Sequence, residues 1–253
     1  MNDFKQILEG VRNKSETIIA SDETIEDIVE REIKRLGYKA DLNHIDVSEV
    51  TNMSRLFYSK KFNGNISKWN VSNVEDMNYM FAFSDFNGNI SSWDVSNVTN
   101  MRFMFFESKF NGNIPKWKVG RVTNMTSMFS RSDFNKDISG WNVSNVRKMG
   151  FLFSGTKFNK DISGWDVSNV TDMSFMFENS VFNKDISEWD VSNVKTMGYM
   201  FNFSKFNKDI SEWDVSKVED MQFMFHKSEF DGDISKWKIS RSTYKKNMFS
   251  DEN

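Results

Sequence analysis

Residues 158–176 read FNKDISGWDVSNVTDMSFM, and close copies of this string recur every 24 residues over most of the chain. All eight tryptophans, Trp69, Trp93, Trp117, Trp141, Trp165, Trp189, Trp213 and Trp237, fall on that period. One more step back reaches Ile45 in a degenerate first copy. A fixed period of this size marks a chain of stacked repeats. Within the unit, Phe158, Ile162, Trp165, Val167, Val170, Met173, Met176 and Phe177 stay apolar from copy to copy, and these positions form the expected core.

The spacing changes character inside the unit. Trp165 and Val167 alternate across Asp166, as in a strand, whereas Val170, Met173 and Phe177 fall at steps of three and four, as in a helix. Asn169 is then a natural N-cap, with Asp172 three residues on. Ile162 is out of phase with Trp165, which places a bend near Ser163 and Gly164. The expected fold is an α/β solenoid: a right-handed coil of leucine-rich-repeat kind with about nine 24-residue units, each a short parallel strand plus a short helix. A unit this short cannot bury its own apolar face, so copies must stack to be stable.

The chain divides into 1–40, a charged N-terminal helical cap, and 41–253, the repeat array with a degenerate closing unit. In the first part Ile25, Ile28, Val29, Ile33 and Leu36 share a helical stripe, with Ser21 or Asp22 as its cap and Gly37 as its stop. Phe4, Ile7, Leu8 and Val11 suggest a shorter helix before it. A helix covering the first coil is the primary reading of this segment, and a partner-binding helix the alternative. Pro115, the only proline, with Gly120 and Arg121 close by, suggests a bulge in the array.

Composition narrows the function. A net charge of −3 and a pI near 5.6 leave no strongly basic face for phosphate, so nucleic acid is not an expected partner. Cysteine is absent, which excludes disulfides and thiolate chemistry. No apolar run is long enough to span a membrane. The N-terminal MNDFKQILEGVRNK carries charges where a signal peptide carries its apolar stretch, an indication of a cytoplasmic protein. His44 and His226 lie at opposite ends of the array, and no nucleotide-binding loop or metalloprotease motif occurs, so neither catalysis nor a cofactor is expected.

In a stacked array each sequence column becomes a line on the surface. The column from Asn63 through Asn207 to Asp231 suggests stacked amides exchanging hydrogen bonds. Asp137, Asp161, Asp185, Asp209 and Asp233 form an acidic row that could bridge Ca²⁺, although bonding of each carboxylate within its own turn is the simpler account. Tyr79, Phe103, Phe151, Phe175, Tyr199 and Phe223 form an aromatic column, broken by Arg55 and Ser127, that is either packed between coils or an adhesive stripe. The most variable columns hold Phe106 and His226, the latter expected to be solvated, and Glu107, Arg131, Phe203 and Lys227. Recognition of a protein partner is therefore expected from Tyr79, Phe103, Phe106, Glu107, Arg131, Phe175, Tyr199, Phe203, His226 and Lys227. A glycan is the alternative ligand, and an intracellular scaffold or effector the alternative setting.

The units MSFMFENSVFNKDISEWDVSNVKTM and DLNHIDVSEVTNMSRLF resemble BspA-type leucine-rich-repeat surface proteins of bacteria, also described as a Mycoplasma lipoprotein-associated repeat domain of unknown function. The resemblance covers about 42–249. It implies a leucine-rich-repeat solenoid and adhesion or host-protein binding at a bacterial surface, and it brings no catalytic residues. The sequence has no lipobox cysteine, so the location that the resemblance implies and the one that the N-terminus suggests differ.

Overall fold

A computed structural model describes residues 17–249; the suggested helix over Phe4, Ile7, Leu8 and Val11 lies outside them. Strand β1 (Ile18–Ile19) pairs in parallel with β2 (Ile45–Asp46), Ile18 opposite Ile45. Between them runs helix α1 (Ile25–Leu36), which buries Ile25, Ile28, Val29 and Ile33 against the first repeats as part of one continuous core. Glu26 and Asp27 in its first turn and Lys34 and Arg35 in its last complement the helix dipole. Gly37 ends it at φ 91°, its N–H bonding to Ile33 O at 2.8 Å. The start differs from expectation. Thr24 occupies the N-cap position without a side-chain bond to the helix amides, its Oγ1 accepting Ser21 N at 2.9 Å, and Asp22 instead reaches the first repeat, accepting bonds from Thr51 N, Thr51 Oγ1 and Asn52 N at 2.8, 2.6 and 3.0 Å.

From there the chain is a repeat protein whose units stack at a shift of one period. Isolated parallel bridges join Asn52 to Asp76, Asp76 to Asn100 and so on to Tyr244. Every expected core position of the 158–177 unit is buried. The rings form parallel columns: Phe105, Phe129 and Phe153 stack 5.7 and 5.9 Å apart, and Phe110, Phe134 and Phe158 at 6.3 Å.

The strand-plus-helix unit is corrected. Among the described residues α1 is the only helix, and the repeats contain single bridges rather than continuous strands. The steps of three come from β-turns: Trp165 N bonds Ile162 O, Val170 N bonds Val167 O, and Met176 N bonds Met173 O. Both ends of each turn point inward, which imitates helical spacing without a helix. The reason lies in the amides of 149–155. Met149, Phe151, Phe153 and Gly155 donate to the next unit at 2.8–3.0 Å, while Leu152 and Ser154 close turns in their own. Helical i to i−4 bonds would withdraw half of these donors from the neighbouring unit. Asn169 likewise caps nothing; its Nδ2 bonds Ser144 O in the preceding unit at 2.8 Å.

The expected bulge at Pro115 is also absent. Trp117 keeps the turn bond to Ile114 O and the indole bond to Ile90 O that its counterparts make. Pro115 stands second in that turn, where its fixed φ is favoured and its missing N–H leaves the bonds between units intact.

Candidate functional site

Two columns on one flank carry the residues expected to bind. The first, Tyr79, Phe103, Phe151, Phe175, Tyr199 and Phe223, is half-buried. Its rings stack face to face: Tyr79 on Phe103 at 4.4 Å, Phe151 on Phe175 at 4.2 Å, Phe175 on Tyr199 at 4.5 Å and Tyr199 on Phe223 at 4.9 Å. Most of each ring face is thus covered by its own column, so the packed reading holds for this stripe.

The second column, Ser59, Phe83, Glu107, Arg131, Gly155, Asn179, Phe203 and Lys227, is exposed at every unit. Both columns have left-handed backbone. In the first, φ runs from 61° at Arg55 to 54° at Phe223. In the second it is 55° at Ser59, 56° at Phe83, 49° at Glu107, 54° at Arg131, 67° at Gly155, 47° at Asn179 and 53° at both Phe203 and Lys227. Only Gly155 and Asn179 belong to types that adopt this region readily. From Ser59 to Phe203 the others are held there because the amide at each position donates to the next unit, as Phe83 N does to Phe106 O at 2.8 Å and Arg131 N to Ser154 O at 2.8 Å. Such strain costs on the order of 1–3 kcal/mol per residue and persists where surrounding structure over-determines it.

Three groups of expected site residues meet on this flank. Phe106 sets its ring edge against Phe103 at 5.3 Å and Phe83 at 5.1 Å, below Tyr58. Glu107 and Arg131 pair across one step at 3.2 Å. Near the far end Lys227 Nζ lies 5.2 Å from the centre of the Phe203 ring, and His226 packs edge-on against Phe203 and Phe223 at 6.1 and 5.3 Å. His226 was expected to be solvated and is instead half-buried, its Nδ1 enclosed without a hydrogen-bond partner. Phe175 is far along the column from the Phe106 group and contributes through the stack. Sequence reasoning named Phe203 as a candidate and left out Phe83; at 51% and 41% exposed they are the two phenylalanines of the exposed column. Their signal was available as rings in an otherwise polar column. Arg55 and Arg102, over Tyr79 at 5.0 Å and Phe103 at 4.7 Å, carried no such signal.

The aspartate row bonds within its turns and the asparagine row between units. Asp137, Asp161, Asp185, Asp209 and Asp233 each accept the N–H of the serine two residues on, at 2.8–3.0 Å. That bond, helped by the serine hydroxyl, holds each carboxyl below the ordinary range. Among the described residues no cluster of histidine, aspartate and glutamate has metal-site geometry. In the asparagine row each backbone N–H donates to the preceding side-chain Oδ1, Asn183 to Asn159 at 3.0 Å and Asn207 to Asn183 at 3.0 Å. The row is half-buried to exposed rather than interior. Burial works to raise the pKa of Glu32 on α1, but bonds from Arg35, Arg31 and His44 hold it below the ordinary value. This group ties α1 to the first repeat. No described helix is long and apolar enough to cross a membrane.

Units that stack in one-period register around a single core define a repeat protein of 24-residue units. The family model for "Mycoplasma protein of unknown function, DUF285" matches residues 29–133, 83–181, 106–203 and 156–253. The chain belongs to that family. No curated protein and no solved structure matches it.

Proposed function

We propose that the chain is a non-enzymatic protein-interaction module, a solenoid of the kind found in BspA-type surface proteins, which binds a protein partner along the flank of the left-handed columns. One observation carries the reading. The exposed column changes residue at every unit, from Phe83 to Glu107 to Arg131 to Phe203 to Lys227, and does so on a backbone that disfavours nearly all of these types. Strained, outward and individual side chains on an otherwise uniform scaffold are what a recognition surface requires. Phe83 and Phe203 supply rigid aromatic anchors, and Glu107, Arg131 and Lys227 supply charge that selects the partner.

A glycan reading fits less well. The open polar groove of about 470 Å³ beside Asn87, Asn89, Asn111 and Asn113 has no aromatic ring in its lining on which a sugar could stack.

The experiment is capture on the immobilised chain from native lysate and from candidate host cells. The comparison is with Glu107→Lys/Arg131→Glu, which inverts both charges while keeping the pair, and with Lys227→Glu. Retention of the specific partner should fall at least about tenfold, with the Tm unchanged. Undiminished capture by both variants would remove the proposal. An adhesin and an intracellular scaffold would share this surface, and cell fractionation separates them.

A further inference from the structure

The two ends of the array differ in chemistry. Residues 234–249 contain Lys236, Lys238, Arg241, Lys245 and Lys246 and no acid, whereas the same stretch one period earlier, 210–225, carries Glu212, Asp214, Glu219 and Asp220 against Lys217. Lys236 pairs with Glu212, while Arg241, Lys245 and Lys246 are exposed and form no ion pair among the described residues. The apolar pattern also stops within this unit: Ser242 and Lys245 stand, exposed, in the columns that hold the buried Val218 and Met221 one period before. At the other end α1 turns Glu23, Glu26, Asp27 and Glu30 outward, opposite the buried Ile25, Ile28 and Val29. Glu30 pairs with Lys60, and Arg31 and Arg35 are taken by Glu32. Glu26 and Asp27 are left as open acids of that end, with Lys34 and Lys39 as its open bases.

The bonds between units show what the basic end lacks. Met221 N, Phe223 N and Phe225 N donate to Tyr244 O, Lys246 O and Met248 O at 2.7, 3.0 and 2.8 Å. Their counterparts one period on, Lys245 N, Asn247 N and Phe249 N, have no acceptor among the described residues. Beside them Phe249 stacks on Phe225 at 5.3 Å and is exposed, as is Tyr244. The first unit shows how the chain closes such an edge. Glu75 N donates back to Thr51 O of the preceding unit at 2.8 Å. Thr51 N has no repeat before it, and the Asp22 carboxylate accepts it instead, together with Asn52 N. A carboxylate thus takes the place of a missing carbonyl. The basic end has three open amides and five cations, and no carboxylate of its own to do the same.

We propose that the basic end of one copy binds the outer face of α1 in a second copy, so that copies join head to tail. Glu26 and Asp27 supply the carboxylates that Lys245, Lys246 and the open amides lack. The exposed apolar side chains fall in the same two places. Of the eight large ones exposed among the described residues, Tyr244 and Phe249 lie at one end and Ile19, Leu36 and Tyr38 at the other. A contact between unlike ends leaves one free end of each kind, so assembly continues past the dimer. It uses neither Glu107 nor Arg131 of the flank and stands apart from the partner-binding reading above.

Sedimentation equilibrium of the full chain tests this. In low salt the weight-average mass should climb with concentration beyond twice the 29.7 kDa of one chain. A Kd of about 10–100 µM per contact is expected, weakened at least about tenfold by 0.5 M salt. Lys245→Glu/Lys246→Glu and Glu26→Lys/Asp27→Lys should each stay monomeric up to about 1 mM. An equimolar mixture of the two should associate, because the acidic α1 of the first meets the basic end of the second. Circular dichroism checks that each variant is folded, and Glu26→Gln/Asp27→Asn, which removes charge without reversing it, should weaken the contact at least about threefold. A monomer at every concentration, a mass that stops at the dimer, undiminished association in either reversal, or a mixture that stays monomeric each overturns the proposal. Binding of a poly-glutamate peptide at Lys245 and Lys246 without self-association also overturns it and assigns this end to a foreign acidic partner.

Discussion

Replacing Trp141 by phenylalanine isolates the interaction that recurs most regularly between units. The indole is 3% exposed, lies 6.3 Å from Trp117 and 6.2 Å from Phe129, and donates Nε1–H to Ile114 O at 3.1 Å. Ile114 O also accepts Trp117 N at 3.3 Å, so the substitution does not orphan the carbonyl. The cost is then the net worth of one hydrogen bond, about 0.5–1.5 kcal/mol, plus the volume lost on shrinking the ring, about another 1 kcal/mol. Together these predict a destabilisation of about 1.5–2.5 kcal/mol, or roughly 3–8 °C in Tm for a chain of this size. Thermal unfolding followed by far-ultraviolet circular dichroism reads the shift. Trp237→Phe is the internal comparison: its indole makes the same bond to Ile210 O at 2.9 Å but is 8% exposed and belongs to the last, partial unit. In a nearest-neighbour array a terminal loss frays one end while an interior loss weakens two interfaces, so Trp237→Phe should shift the transition less. A change below about 0.5 kcal/mol for Trp141→Phe, or equal shifts for the two, would refute the claim that the indole column joins the units.

Asn159→Ala removes the acceptor of Asn183 N and should cost about 1–2 kcal/mol in chemical denaturation, whereas Asn159→Asp keeps an oxygen there and should be close to neutral at pH 7. Gly64→Ala would set a Cβ 2.1 Å from Ala40 O, a backbone atom, while at Gly112 the corresponding Gly88 O is 3.7 Å away and the close neighbour is the Phe110 ring. Gly64→Ala should therefore lose at least about 1–3 kcal/mol, and Gly112→Ala distinctly less, in the same measurement. The turn-bonded aspartates have folded pKa values below the unfolded 3.8, so the stability they contribute is complete above that value and is lost as pH falls through the folded values. Tm should thus be flat from neutrality to about pH 5 and fall below about pH 4. Replacing all five column aspartates by asparagine, the residue that serves the same turn at Asn65 and Asn89, should flatten that fall.

The period and the core were legible in the sequence because both are properties of columns: an eight-residue apolar pattern returning every 24 residues fixes what is inside whatever the backbone does. The local structure was not legible, because steps of three arise equally from a helix and from successive β-turns closed at both ends by apolar residues. What separates the two is the destination of the amide hydrogens. Those of Met149, Phe151 and Phe153 cross to the next unit, and a single sequence does not record bonds between units.

The turn-built unit explains why variation collects on one flank. A helix in each unit would satisfy its own amides and let side chains there drift with little effect on stacking. Here, left-handed positions four residues apart, such as Tyr79 and Phe83, are fixed by bonds to the following unit, Tyr79 N to Arg102 O at 3.0 Å and Phe83 N to Phe106 O at 2.8 Å. The backbone is set by the stack and not by the residue that occupies it. Side chains as different as Glu107, Phe203 and Lys227 can then share one conformation, each tolerating the same strain, and the array can change what it presents without changing how it folds.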